Sequence, residues 1–166
     1  MWNDGAIYEG HWKYDMANGK GRIIHADGNC YEGDWQDDKA HGKGKFTYED
    51  GSYYEGEFRD DKYEGDGMEK WADGSQFEGQ YVDGKKEGPG KFIWADGSTY
   101  EGDFSEGQPH GEGVKEWKDG RTYEGEFKKG KMDGKGEFNW PDGRFYEGQW
   151  TFGKRNGQGV FKWEDG

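Results

Sequence analysis

Apolar and polar positions alternate in short runs along this chain, and the runs return at a fixed interval. Between Tyr31 and Gln36, Tyr31, Gly33 and Trp35 share one side of an extended strand while Glu32, Asp34 and Gln36 share the other. A polar turn at Asp37-Asp38-Lys39-Ala40 follows. Beyond it Gly42, Gly44, Phe46 and Tyr48 take one side, and Lys43, Lys45, Thr47 and Glu49 the reverse. This pattern predicts an antiparallel hairpin with one face half-buried. Asp50-Gly51 then supplies a residue that tolerates positive φ, which turns the chain into the next hairpin.

The pattern recurs every 23 residues. An aromatic-Glu-Gly triplet begins at Tyr8, Tyr31, Tyr54, Phe77, Tyr100, Tyr123 and Tyr146, and four positions later stands a second ring: Trp12, Trp35, Phe58, Tyr81, Phe104, Phe127 or Trp150. A Gly-x-Gly pair follows in every unit, from Gly19/Gly21 to Gly157/Gly159, and every unit closes on Asp-Gly. Two places before that Asp is a ring (Tyr48, Trp71, Trp94, Trp117, Trp140, Trp163), except where His25 stands. Repetition at such a period signals a solenoid or array. The predicted fold is all-β: an elongated single-sheet antiparallel β-hairpin solenoid of seven 23-residue repeats, one array over residues 1–166. At about 4.8 Å per strand, fourteen strands would run roughly 65 Å. The paired glycines have a packing role in this picture, because a ring can lie flat on the bare backbone of a neighbouring glycine.

Composition sharpens the picture. The chain has no leucine but has nine Trp, eleven Tyr, ten Phe and 33 Gly, which disfavours long helices and favours short strands and turns. Its polarity resembles that of disordered chains, yet those are poor in aromatics. The lone Cys30 excludes an internal disulfide framework and fits a reducing, cytoplasmic compartment; it reads as a small filler in a strand. No run approaches the ~20 apolar residues of a membrane span.

With triplet, second ring, Gly-x-Gly and Asp-Gly all in register, the chain from Tyr8 to Gly166 resembles the MORN (membrane occupation and recognition nexus) repeat family. The resemblance implies antiparallel β arrays, often grooved along one side, and a role in partner attachment. Such repeats occur in junctophilins, plant phosphatidylinositol-phosphate kinases, radial-spoke-head proteins of cilia and protist cytoskeletal scaffolds. Two features depart from the pattern. Asp15, Asp38 and Asp61 replace the turn glycine of the later units (Gly84, Gly107, Gly130, Gly153), which suggests a different turn form. Met68-Glu69 replaces Lys45-Phe46, which interrupts the apolar face.

The net charge is −13, concentrated in the second, third and fifth units, while the first, sixth and seventh are neutral. This central acidic band reads as solvated surface or as a docking surface for a basic segment. No basic stripe suited to nucleic acid is present. Lys128, Lys129 and Lys131 form the densest basic group, the one candidate for a phosphoinositide.

No residue pattern points to catalysis, a cofactor or a metal. The Gly-x-Gly pairs lack the strand-loop-helix context of a phosphate loop. His41 and His110 share a slot with Asn18, Glu64, Glu87, Asp133 and Asn156, a polar turn position, and the histidines lack zinc spacing. The triplet glutamates (Glu9, Glu32, Glu55, Glu78, Glu101, Glu124, Glu147) read as structural acceptors for turn amides.

The function these features suggest is a non-enzymatic scaffold of the cytoskeleton or cilium. It would take a basic or amphipathic protein segment along a groove lined by Trp35, Tyr48, Phe58, Asp60, Asp61, Glu64, Trp71, Tyr81, Trp94, Phe104 and Trp117. The alternatives are a phosphoinositide or membrane tether and the regulatory array of a larger enzyme. Trp2-Asn3-Asp4-Gly5 and Trp163-Glu164-Asp165-Gly166 both read as unit tails, so continuation of the chain or end-to-end self-association through open edge strands is expected.

Overall fold

The computed structural model describes residues 4–163. Trp2, Asn3 and Glu164–Gly166, which the end-tail reading involves, lie outside the described residues. The chain forms fourteen strands, from β1 (Ile7–Lys13) to β14 (Lys154–Lys162), in sequential antiparallel order within one sheet that does not close. Every repeat is a hairpin of a seven-residue and a nine-residue strand, as in β3 (Cys30–Gln36) with β4 (Lys39–Thr47) and β5 (Tyr53–Arg59) with β6 (Lys62–Lys70). By internal compactness the chain divides into Met1–Lys85 and Lys86–Gly166.

The turn inside the hairpin is shorter than the sequence suggests. It occupies two residues, Asp37 and Asp38, and Ala40 is a buried strand residue. Both turn residues are left-handed, with φ 47° and 67°, the mirror-image turn that suits strand twist. The Asp-Gly turn of the fourth repeat has φ 50° and 84°, so the aspartates that replace glycine keep the same form. Aspartate tolerates this region because its short side chain hydrogen-bonds locally, and here it gains a specific partner. Asp61 donates its backbone N–H to Ala40 O at 3.0 Å and accepts the Ala40 N–H on Oδ1 at 2.7 Å. Asp38 does the same with Ala17. Gly84 retains only the backbone bond, to Tyr63 O.

The turn between hairpins is a three-residue loop with glycine in the left-handed position. At Tyr48–Ser52, Gly51 has φ 90°, and Tyr48 and Ser52 close the loop. The loop Asp accepts the N–H two residues on at Asp27, Asp50, Asp73, Asp96, Asp119 and Asp142. This assigns the amide-capping role to the loop aspartates and corrects the reading of the triplet glutamates. Those glutamates are exposed on the reverse face, where Glu9, Arg22, Glu32, Lys45 and Glu55 stand opposite one another across successive strands. In the first two repeats their register sets them opposite Arg22 and Lys45, and in the last two opposite Glu137.

The core is a ladder of rings on glycine. The Tyr31 ring lies over Gly44, where an added Cβ would sit 2.5–2.6 Å from Cε2 and Cζ. Its hydroxyl donates to Asp34 O at 2.6 Å, so the polar end of a buried ring is satisfied. Its edges meet Trp35 of the same repeat and Phe58 of the next, at centroid distances of 5.2 and 4.9 Å and near-perpendicular planes. Tyr54 repeats this with Phe58 and Tyr81, and within the second half Tyr100 and Tyr123 do so with Phe104, Phe127 and Trp150. Tyr54 and Tyr100 are fully buried although each lies on a single sheet, because glycine below and rings at the edges cover them.

Candidate functional site

The second residue of the longer strand can cap the ladder tyrosine of its own repeat, as Tyr63 and Arg155 do. In successive repeats it is Ala17, Ala40, Tyr63, Lys86, Pro109, Met132 and Arg155. Tyr63 stacks on Tyr54 at 3.7 Å with planes 3° apart, and Arg155 sets its guanidinium over Tyr146 at 5.7 Å. This slot varies most in chemistry while its backbone position is constant, so it differentiates the surface that each half presents.

In the first half this surface is a trough of about 500 Å³ over Phe46. Asp38, Asp61 and Lys62 reach it from the two-residue turns and their flanks, and His25 and Tyr48 from the opposite strand ends. The Tyr48 and Tyr63 hydroxyls hydrogen-bond to each other at 2.5 Å. Phe46 packs against Tyr48 and His25, with centroids 4.8 and 6.4 Å away. Burial raises the phenol pKa of Tyr31, Tyr54 and Tyr63, so these rings stay neutral donors. Beyond Phe46 the apolar row meets Glu69, which accepts the Tyr81 hydroxyl at 2.6 Å. Burial and that carboxylate raise the Tyr81 phenol further.

In the second half the corresponding trough, about 480 Å³, lies over Phe138 between Trp117, Trp140 and Trp150. Four repeats earlier the slots of Arg121, Lys154 and Arg155 hold Asn29, Lys62 and Tyr63. Arg121 lies over Trp117 at 5.3 Å and pairs with Asp119 at 2.8 Å. Upstream, Lys115 takes the row position that Phe46 and Phe138 hold in other repeats. Its ammonium is 4.8 Å from the Trp94 ring centroid and 4.9 Å from that of Trp117, and burial lowers its pKa.

The predicted groove residues separate into three kinds. Trp35, Phe58, Tyr81 and Phe104 are buried ladder rings, at most 7 % exposed; Trp35 and Phe58 contribute only the floor of the first trough. Tyr48 and Asp61 line that trough, while Trp71 is a half-buried strand-end ring. In the second half, Trp94 and Trp117 flank Lys115, and Trp117 continues into the trough there. Asp60 is exposed with its carboxylate 3.8 Å from His41, and Glu64 accepts the Asp83 N–H at 3.0 Å. These two belong to inter-repeat ties, not to the trough. The trough residues that sequence reasoning missed include Asp38, Phe46, Lys62 and Tyr63 in the first half and Arg121, Phe138, Trp140, Lys154 and Arg155 in the second. The variability of the capping slot was the available signal for Tyr63 and Arg155.

On the reverse face Lys20 and Asp34 form an ion pair, and Asp34 also accepts the Lys43 N–H at 3.0 Å. The ion pair, helped by that amide, holds the Asp34 carboxyl below the usual range. Lys128, Lys129 and Lys131 are exposed at one turn. Among the described residues no group of three His, Cys, Asp or Glu side chains is placed to hold a metal ion.

The MORN repeat model matches residues 8–30, 31–53, 54–76, 77–99, 100–120, 123–143 and 146–166. No curated protein matches the sequence. Among solved structures, the SAS-4 (dCPAP) TCP domain of Drosophila melanogaster, in complex with a proline-rich motif of Ana2 (dSTIL), is similar at 15 % identity and TM-score 0.53. That match covers 90 % of this chain and 82 % of the other. The TCP10c domain of Drosophila melanogaster Sas-4 matches at 16 % identity and TM-score 0.49, with 90 % of each chain covered. The G-box domain of the microcephaly protein CPAP, whose structural analysis suggests a role in centriole elongation, matches at 14 % identity and TM-score 0.44, covering 88 % and 81 %. At these identities the likeness is one of fold.

Proposed function

The chain belongs to the MORN repeat family, and on that premise we propose that it is a non-enzymatic interaction scaffold of the cytoplasm, attached to the cytoskeleton or cilium. In this reading the trough over Phe46 holds an extended, basic segment of a partner protein. The observation that carries the reading is the trough itself. It combines an aromatic floor with Tyr48, 37 % exposed, and two turn carboxylates, Asp38 and Asp61, at its edge. Rigid rings with hydroxyl tips suit an extended or proline-rich backbone, which loses little entropy on docking. Carboxylates at the edge favour Lys and Arg and speed encounter. A similar fold, that of the SAS-4 TCP domain, takes a proline-rich motif of its partner, which supports a peptide as the occupant.

The test is a titration with a labelled synthetic peptide of alternating Lys and Pro, set against vesicles containing phosphoinositide. The peptide is expected to bind, and Tyr48→Ala to weaken it by about tenfold, the loss of one aromatic anchor. Tight, salt-sensitive binding to the vesicles with no peptide binding would overturn the reading in favour of a lipid tether using Lys128, Lys129 and Lys131.

A further inference from the structure

We propose that the trough over Phe138 is a second docking site, selective for an acidic extended segment of a partner protein. It rests on the reading of the first trough as a peptide-docking surface, because the two occupy the same repeat slots. What differs is the sign of the charge. Asp38 and Asp61 face the first trough, but the equivalent turn slots are Gly130 and Gly153, and no carboxylate lines the second trough. Asn29 gives way to Arg121, Ala40 to Met132 and Tyr63 to Arg155, while Lys62 is matched by Lys154.

The cations are not all spent on internal pairs. Arg121 is tied to Asp119, but among the described residues neither Lys154 nor Arg155 has a carboxylate within ion-pairing distance. Arg155 lies over the Tyr146 and Phe161 rings at 5.7 and 5.4 Å, which orients its guanidinium without neutralising it. A carboxylate arriving there gains a fork-shaped partner beside Trp140 and Phe138, where a prolyl or aromatic side chain can lie. The protein as a whole carries −13 and repels acidic chains at long range, so such a segment gains only where the local field is reversed. This charge complementarity favours an acidic peptide over a basic one in this trough.

The test uses the full chain and two labelled peptides, one of alternating Glu and Pro and one of alternating Lys and Pro. The Glu-Pro peptide is expected to bind the parent chain and to lose at least about tenfold in Lys154→Glu/Arg155→Glu and on raising salt, while the Lys-Pro peptide keeps its affinity. Lys154→Gln/Arg155→Met, which keeps a cap over Tyr146 without charge, separates charge from folding and is expected to show an intermediate loss. Unchanged Glu-Pro binding in the charge-reversed variant would overturn the proposal, as would displacement of the peptide by single-stranded RNA at lower concentration. Absence of Glu-Pro binding beside intact Lys-Pro binding overturns this proposal alone; absence of both overturns the docking reading itself.

Discussion

The troughs over Phe46 and Phe138 are built from the same slots of the same repeat, yet they present opposite chemistry. Both halves carry the same ladder, a tyrosine on glycine met edge-on by the next repeat's ring, and that ring, Phe58 or Trp150, lines the trough. The first half then edges its trough with aspartate and tyrosine, the second with arginine, lysine and tryptophan. The ladder therefore fixes geometry, and a few positions that the ladder does not use are free to set the sign. In a repeat protein, where each unit is supported by its neighbours, selectivity can change from repeat to repeat without altering the fold.

The broadest way to break the comparison is to attack what both halves share. Burial raises the phenol pKa of Tyr31, Tyr54, Tyr81, Tyr100 and Tyr123. Their stability contribution is therefore complete below the unfolded value of about 10 and is lost as pH rises above it, at about 1.4 kcal/mol per pH unit for each ring. Phenolate absorbance and far-ultraviolet dichroism followed upward from about pH 10 should show both halves unfolding as the tyrosines ionise; gradual ionisation with the sheet intact would contradict the ladder. Next in size are Gly44→Val and Gly136→Val, which force a side chain into the Tyr31 and Tyr123 rings. Each should cost about 3 kcal/mol in denaturant unfolding, and a loss confined to one half would show that the halves do not share one core logic. The smallest effect sharpens the difference. Lys115→Phe, which restores the row residue of Phe46 and Phe138, should change stability by less than about 1 kcal/mol, since it exchanges two cation–ring contacts for apolar burial. A loss above about 2 kcal/mol would make Lys115 a structural cation.

Tyr31, Gly33, Trp35 and Gly44 announced the ladder because strand alternation has period two and the repeat carries no insertion. The troughs were less legible. Counting charge by repeat marks a central acidic band, but it does not say that Glu32 faces away while Asp61 reaches the aromatic side. The fifth repeat is acidic in sum and the sixth and seventh are neutral, which hides the fact that Arg121, Lys154 and Arg155 gather at one place while Glu124, Glu137 and Glu147 lie opposite one another across neighbouring strands. The short turn and the buried Ala40 were missed because the run Asp37-Asp38-Lys39-Ala40 reads as turn throughout, whereas the strand resumes at Lys39.

Each two-residue turn also grips the repeat before it. The bond from Asp61 to Ala40 O recurs as Gly84 to Tyr63, Gly107 to Lys86, Gly130 to Pro109 and Gly153 to Met132. Adjacent hairpins are thus buttoned together at their tips as well as laced along their edges. A pull applied along the array would have to undo one button per hairpin. Those holding Asp38 and Asp61, fastened by a carboxylate as well as an amide, would be the last to open.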